Sequence, residues 1–270
     1  MMSEKIELLG KNVYTDIPGE LTLKAFPTVT ELDYVGSEDF EKTMLDSIFP
    51  QCIEEKINPR KLLEIDFQWI CRGLRFLNYG PYFTTNVIIC ESCGAVRQEC
   101  QVDLRAIDCK PLPENFVNDI VITKDQFIDY NQDVHVHLLT IQEALDCRKD
   151  KLFVKKDGTP NVDYARMCYS ISSMGNTKDM NSVAAKMEIE SKMSPADYKV
   201  LAATITQLTD YGLRGGGKCV CPRCHSTEAA FIALPDDRFF RPTVGDLRNG
   251  RNDRNLGGMA LRSRDKAEAV

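Results

Sequence analysis

Histidine is scarce in this 270-residue chain, with only His135, His137 and His225 present. That leaves few partners for a Cys–His or Ser–His nucleophile pair, and no nucleophile–base constellation stands out. Adjacent acids such as Glu54-Glu55 and Asp236-Asp237 read as solvated faces rather than acid–base machinery. No motif points to an enzyme or to a small-molecule substrate. Long apolar runs are missing too: nothing approaches the roughly 18 uninterrupted apolar residues of a membrane span. The start, Met2-Ser3-Glu4-Lys5, lacks an apolar signal region. A positive charge balance is also absent. The formal net charge is −6, and a phosphate backbone needs a basic face, so nucleic acid is disfavoured as a partner. One segment is an exception, for Arg241 to Val270 carries seven Lys/Arg against four Asp/Glu.

A phosphate-binding loop also fails on inspection. Gly212-Leu213-Arg214-Gly215-Gly216-Gly217-Lys218 fills the first seven positions, but the eighth is Cys219, where a hydroxyl is needed for magnesium. A helical pattern precedes it, where a strand is required, so the segment reads as a linker after a helix end.

Cysteine, by contrast, is plentiful. The eleven cysteines are odd in number and scattered, which fits a reducing, intracellular setting. Four of them form two C-x-x-C hooks, Cys90-Glu91-Ser92-Cys93 and Cys221-Pro222-Arg223-Cys224. Strand-like runs, Val87-Ile88-Ile89 and Lys218-Cys219-Val220, lead into them, and Gly94 suits the left-handed corner of such a turn. Together Cys90, Cys93, Cys221 and Cys224 supply the tetrahedral thiolate set of a closed structural Zn2+ site. The hooks lie well over a hundred residues apart, far beyond the usual ribbon spacing, so such a site would tie remote segments into one domain. Plain core cysteines or a redox pair are the alternatives, although a thioredoxin-like motif wants a βαβ setting that neither hook has. Cys219 and His225 lie close enough to replace a ligand.

Periodicity divides the chain into five parts. Residues 1–35 read as an extended N-terminal arm, with Leu21 to Phe26 alternating. Residues 36–94 read as a helical segment and the first knuckle: a helix capped by Ser37 and stopped at Pro50, then one from Asn58-Pro59 to Tyr79 closed by Gly80. Phe67, Ile70, Cys71, Leu74 and Leu77 form its apolar face, and Trp69 and Phe76 sit off that stripe. Residues 95–140 read as a small antiparallel β insertion, with runs at 100–104, 119–122 and 134–138. His135 and His137 there are expected to be exposed strand histidines without a metal. Residues 141–234 return to helices, beginning near Thr140, Asn161, Asp179 and Ser194, the second of them running through Ser172, and end in the second knuckle. Between the first two, residues 151–160 form a hairpin-like excursion with its tip at Asp157-Gly158. Residues 235–270, rich in Arg, Asn and Gly, cannot bury much and read as a tail that is disordered or bound to a neighbour. The fold class is therefore α+β: a helical core with a zinc-ribbon-like four-cysteine site and a β insertion between its halves.

Taken in order, several segments resemble one family. These are Asp66 to Gly80, a helix ending in an R-x-x-x-Y-G style; the hook at Cys90 and Cys93; the strand Val102-Asp103-Leu104; the helix opening Ser194-Pro195-Ala196-Asp197; and the hook at Cys221 and Cys224. Over roughly residues 20–235 the chain resembles the baseplate hub and hub-assembly proteins of T-even-like contractile-tail bacteriophages. The resemblance implies a non-enzymatic structural component or chaperone, whose partners are other phage baseplate, hub or tail-tube proteins. Its place would be the host cytoplasm during assembly or the virion tail baseplate. The Arg-rich tail departs from the family pattern and suits folding on contact with a neighbour. A nucleic-acid-binding zinc-ribbon protein is the alternative function.

Overall fold

The computed structural model describes residues 3–27, 39–85, 88–97, 100–213, 216–221, 223–231 and Phe240. The architecture is mixed α and β, with helices and small antiparallel sheets packed around two hydrophobic clusters. The N-terminal arm is extended, as its alternation predicts, but it is not free. Strands β1 (Ser3–Glu7) and β2 (Glu20–Lys24) pair antiparallel, Ser3 opposite Lys24 and Glu7 opposite Glu20. Ile6, Leu21 and Leu23 point into the first cluster, while Lys5 and Glu20 form an ion pair outside. A period of two thus puts one face of the hairpin in the core.

Helix α1 (Phe40–Thr43) is capped by Asp39, whose carboxylate accepts from Lys42 N at 3.1 Å; Ser37, the expected cap, lies outside the described residues. Pro50 does not stop the helix. A π-turn (Met44–Ile48) precedes it, and Pro50 sits in the first turn of the continuing α2 (Phe49–Cys52). A wide turn and an N-terminal position are where a missing N–H is tolerated. The helix expected from Asn58 divides as well. Asn58 caps only a 3-10 turn, Pro59–Lys61, and α3 begins afresh at Glu64, running to Tyr79. The break has a tertiary cause: Leu62 and Leu63 are drawn into extended pairing with residues 139–141. Glu64 N donates to Leu139 O at 3.0 Å and Ile141 N to Leu62 O at 2.8 Å.

The apolar stripe of α3, Phe67 to Leu77, is buried throughout. Trp69 and Phe76, off that stripe, flank Arg72, with the guanidinium carbon 4.6 and 4.7 Å from the two ring centroids. Arg72 also donates to Leu104 O at 3.2 Å, and burial pulls its pKa down to about 10. At Gly73 an added Cβ would stand 2.7 Å from Leu23, so this glycine lets the N-terminal hairpin approach α3 closely.

The expected β insertion is not self-contained. Strand β3 (Tyr82–Thr85) pairs with β6 (Cys100–Asp103), and β4 (Ile88–Ile89) with β5 (Val96–Arg97). Strand β7 (Cys109–Lys110) pairs with β11 (Gly212–Leu213). Strands β8 (Ile120–Ile122) and β9 (Val134–Val136) pair with each other, but β9 pairs on its other edge with β10 (Ile171–Met174). That last strand corrects the helix expected through Ser172: α5 (Val162–Tyr169) ends three residues earlier. Ile171 and Met174 are buried beside Val134 and Val136, and the open edge of β9 outcompetes another helical turn.

Helix α4 (Ile141–Lys149) carries the Thr140–Glu143 capping box. Helix α6 (Ser182–Lys192) starts later than Asp179, with Asn181 as its cap. Helix α7 (Pro195–Leu208) opens on Ser194 as expected. The excursion at 151–160 is a turn, with Lys155 N bonded to Thr159 O and Gly158 at φ +84°.

Two buried acids tie remote loops to helices, each from the third helical position. Asp66 accepts from Leu9 N (2.6 Å), Gly10 N (3.1 Å) and the Tyr14 hydroxyl (2.6 Å). Asp197 accepts from the amides of Ile128 (2.6 Å), Asp129 (3.2 Å) and Tyr130 (3.0 Å). Burial raises the Asp66 pKa to about 6 against the pull of these donors. At Asp197 burial pushes upward as well, but the Ile128, Asp129 and Tyr130 amides and the Ser194 hydroxyl together hold its pKa below the usual value. The tail also needs a correction, for Phe240 is fully buried in the first cluster, its ring 5.7 Å from Phe40 and 6.2 Å from Phe26.

Candidate metal centre

Each hook sits at the tip of a two-stranded hairpin. The β4–β5 hairpin carries Cys90 and Cys93, and β12 (Gly216–Val220) with β13 (Thr227–Phe231) carries Cys221 and Cys224. The two tips repeat one backbone pattern. Cys90 N bonds to Ala95 O and Gly94 N to Cys90 O; Cys221 N bonds to Ser226 O and His225 N to Cys221 O. The corner residue is left-handed in both, Gly94 at φ +68° and His225 at φ +60°. A left-handed corner turns successive amides toward the sulfurs, which favours thiolates.

The fold brings all four expected ligands together. Their sulfurs lie within 4.8 Å of one another, with Cys90 3.6 Å from Cys224 and Cys93 3.8 Å from Cys221. Four thiolates held tetrahedrally at a metal–sulfur distance of about 2.3 Å stand about 3.8 Å apart, so the cluster has the dimensions of a tetrahedral metal site. Cys90 and Cys221 are buried, whereas Cys224 is exposed. The Ser226 hydroxyl lies 3.3 Å from Cys90 Sγ and 3.1 Å from Cys224 Sγ. Its hydroxyl and backbone bonds lower the Cys224 thiol pKa to about 6. The backbone amides of Cys224 and Arg223 likewise lower that of Cys221.

Neither substitute ligand is needed. His225 is exposed and holds the corner that glycine holds in the other hook, and Cys219 lies within β12, in register with Glu228. Sequence reasoning missed Ser226, since a serine two residues past a hook carries no signal until the facing hook is placed beside it. The glycine-rich stretch before the second hook contributes β11 and the start of β12. Gly212, at φ +92° and with Ile65 2.8 Å from where a Cβ would sit, shows why glycine is needed there.

The two strand histidines are each paired with an acid. His135 is not free but bonds Asp119 at 2.9 Å, and His137 bonds Glu143 at 3.2 Å. The four cysteines form the one metal-capable group of His, Cys, Asp and Glu found among the described residues. A cavity of about 280 Å3 between α3, α5 and α7 is lined by Glu64, Gln68, His137, Arg166 and Tyr211. Its charges are matched, because Arg166 bonds both oxygens of Glu64 at 3.1 and 2.5 Å. No family model, curated protein or solved structure matches the chain.

Proposed function

We propose that this chain is a non-enzymatic structural or assembly protein of a contractile phage tail, acting in the hub region of the baseplate, with one structural Zn2+ held by Cys90, Cys93, Cys221 and Cys224. The observation that carries the reading is the four-sulfur clasp itself. Four thiolates complete a tetrahedral shell, and zinc in such a shell fastens a fold and keeps no position for substrate. The clasp joins hairpin tips 128 positions apart in sequence, so the ion would act as a cross-tie between remote segments of the chain. The resemblance to baseplate hub proteins adds to this. Its motifs fall on α3, the first hook, β6 with Leu104, the start of α7 and the second hook.

Mass spectrometry of purified phage particles tests the biological part. Stoichiometric presence marks a baseplate component. Absence from particles, with co-purification of hub subunits from infected cells, marks an assembly factor. If neither is found, the assignment fails. Metal analysis of the isolated protein tests the chemical part, with one zinc per chain expected. Two hairpins meeting at four sulfurs are also the geometry of a nucleic-acid-binding zinc ribbon. Salt-dependent retention on DNA or RNA would favour that second reading.

A further inference from the structure

Strand β8 is an edge of the β10–β9–β8 sheet, and among the described residues it pairs with β9 alone. Around it the chain alternates. Ile122 is buried beneath the sheet, while Val117, Asp119 and Val121 are exposed. Val117 is 69 % exposed, Val121 42 %, and nearby Ile128 73 %. Scattered exposed aliphatics need no explanation, but an open strand edge with exposed aliphatics in it and close to it in sequence is a place where chains associate readily. The surface is also acidic: from Glu114 to Asp133 the chain has five acids and the single cation Lys124. Glu114, Asp125 and Asp129 make no ion pair with any described residue.

The same chain carries a segment of matching chemistry. Residues 241–270 follow the buried Phe240 and interleave cations with aliphatics, as in Leu247-Arg248 and Leu261-Arg262, with Leu256 and Met259 between. Thirty residues reach up to about 100 Å when extended. A 270-residue body has a radius of gyration of only about 18 Å, so reach does not limit where this segment can lie.

We propose that the Arg-rich segment 241–270 docks on the outer face and open edge of β8. Main-chain hydrogen bonds would extend the sheet, aliphatics would cover Val117, Val121 and Ile128, and guanidinium groups would meet Asp125 and Asp129. The inference goes beyond the proposed function and depends neither on zinc nor on the phage reading.

Carbodiimide coupling of the full-length chain tests it. The reagent joins the amine of Lys266, the single lysine of the segment, to carboxylates in direct contact with it. Couplings of Lys266 to Glu114, Asp119, Asp125 or Asp129 are expected, with yields falling several-fold at high salt. Mixing 15N-labelled and unlabelled copies shows whether the segment binds its own chain or a second copy, and either result supports the proposal. Val121→Lys and Asp125→Lys alter exposed positions, and each should cut the yield at least five-fold. Couplings directed elsewhere, no coupling, or yields indifferent to both variants and salt would overturn it.

Discussion

Removing the metal should release the two hairpins while leaving the helical core folded. Cys90 and Cys221 are buried, yet neither belongs to either hydrophobic cluster, so the hook tips gain from the sulfur cluster a tie that those clusters do not give them. A tie between Cys93 and Cys221 closes a loop of 128 positions, and a cross-link over that length restricts the unfolded chain by about 5 kcal/mol at 25 °C. For a chain of this size each kcal/mol moves the melting temperature by roughly 2–4 °C, which sets a shift of roughly 10–20 °C. The assay compares thermal unfolding at 222 nm for the zinc-loaded protein, the protein treated with a strong chelator, and Cys224→Ala. Cysteine 224 is the exposed ligand, so its replacement leaves no large cavity. Hydrogen exchange on the same samples should show protection lost first at residues 88–97 and 216–231. An unchanged melting temperature in both treated samples would refute the clasp. Loss of all helix on chelation would refute its peripheral role and make the ion the nucleus of the whole fold.

Replacing His225 with glycine should keep one metal per chain and raise stability by about 1 kcal/mol, because a non-glycine residue strains the left-handed corner; loss of metal in this variant would make His225 a ligand. Phe240→Ala should cost about 3–5 kcal/mol in urea unfolding, since it empties a fully buried ring site between Phe26 and Phe40. A cost near zero would free the tail from the core. Tyr14→Phe should cost about 1–3 kcal/mol, with the larger value at higher pH. The sign follows from Asp66: burial raises its folded pKa from 3.8 to about 6, so its stabilising effect is complete below the lower value and is lost as pH rises through the upper one. The Tyr14 hydroxyl favours the ionised carboxylate, so its removal should hurt progressively more across that window, and a pH-independent cost would contradict this assignment.

Much of the local structure was legible because it rests on local chemistry. The Thr140–Glu143 box, the Ser194-Pro195 start and the Gly80 stop each satisfy helix-end groups with residues a turn away. The hooks were legible for the same reason, since a C-x-x-C turn is a local object. What was not legible is what tertiary partners decide. Leu62 and Leu63 leave a helical pattern because residues 139–141 offer them backbone partners. Ile171 to Met174 follow a helix without a break in composition, and only the open edge of β9 makes them a strand. The strands of the β insertion were legible, but not all their partners, because β7 and β9 pair with 212–213 and 171–174, beyond any local window.

Asp66 and Asp197 show why the clasp need not carry the fold alone. Each acid gathers amides from a loop more than fifty positions away and anchors it at the first turn of a helix, so the two clusters have cross-ties of their own. The four-cysteine cluster spans about twice that separation and joins two hairpin tips. A tie placed there adds about 5 kcal/mol by loop closure to a core that carboxylates already staple. It also fixes where the two hairpin tips stand relative to each other, which any surface they present to partners requires. On this argument the cysteines should be less tolerant of replacement in assays of assembly than in assays of folding.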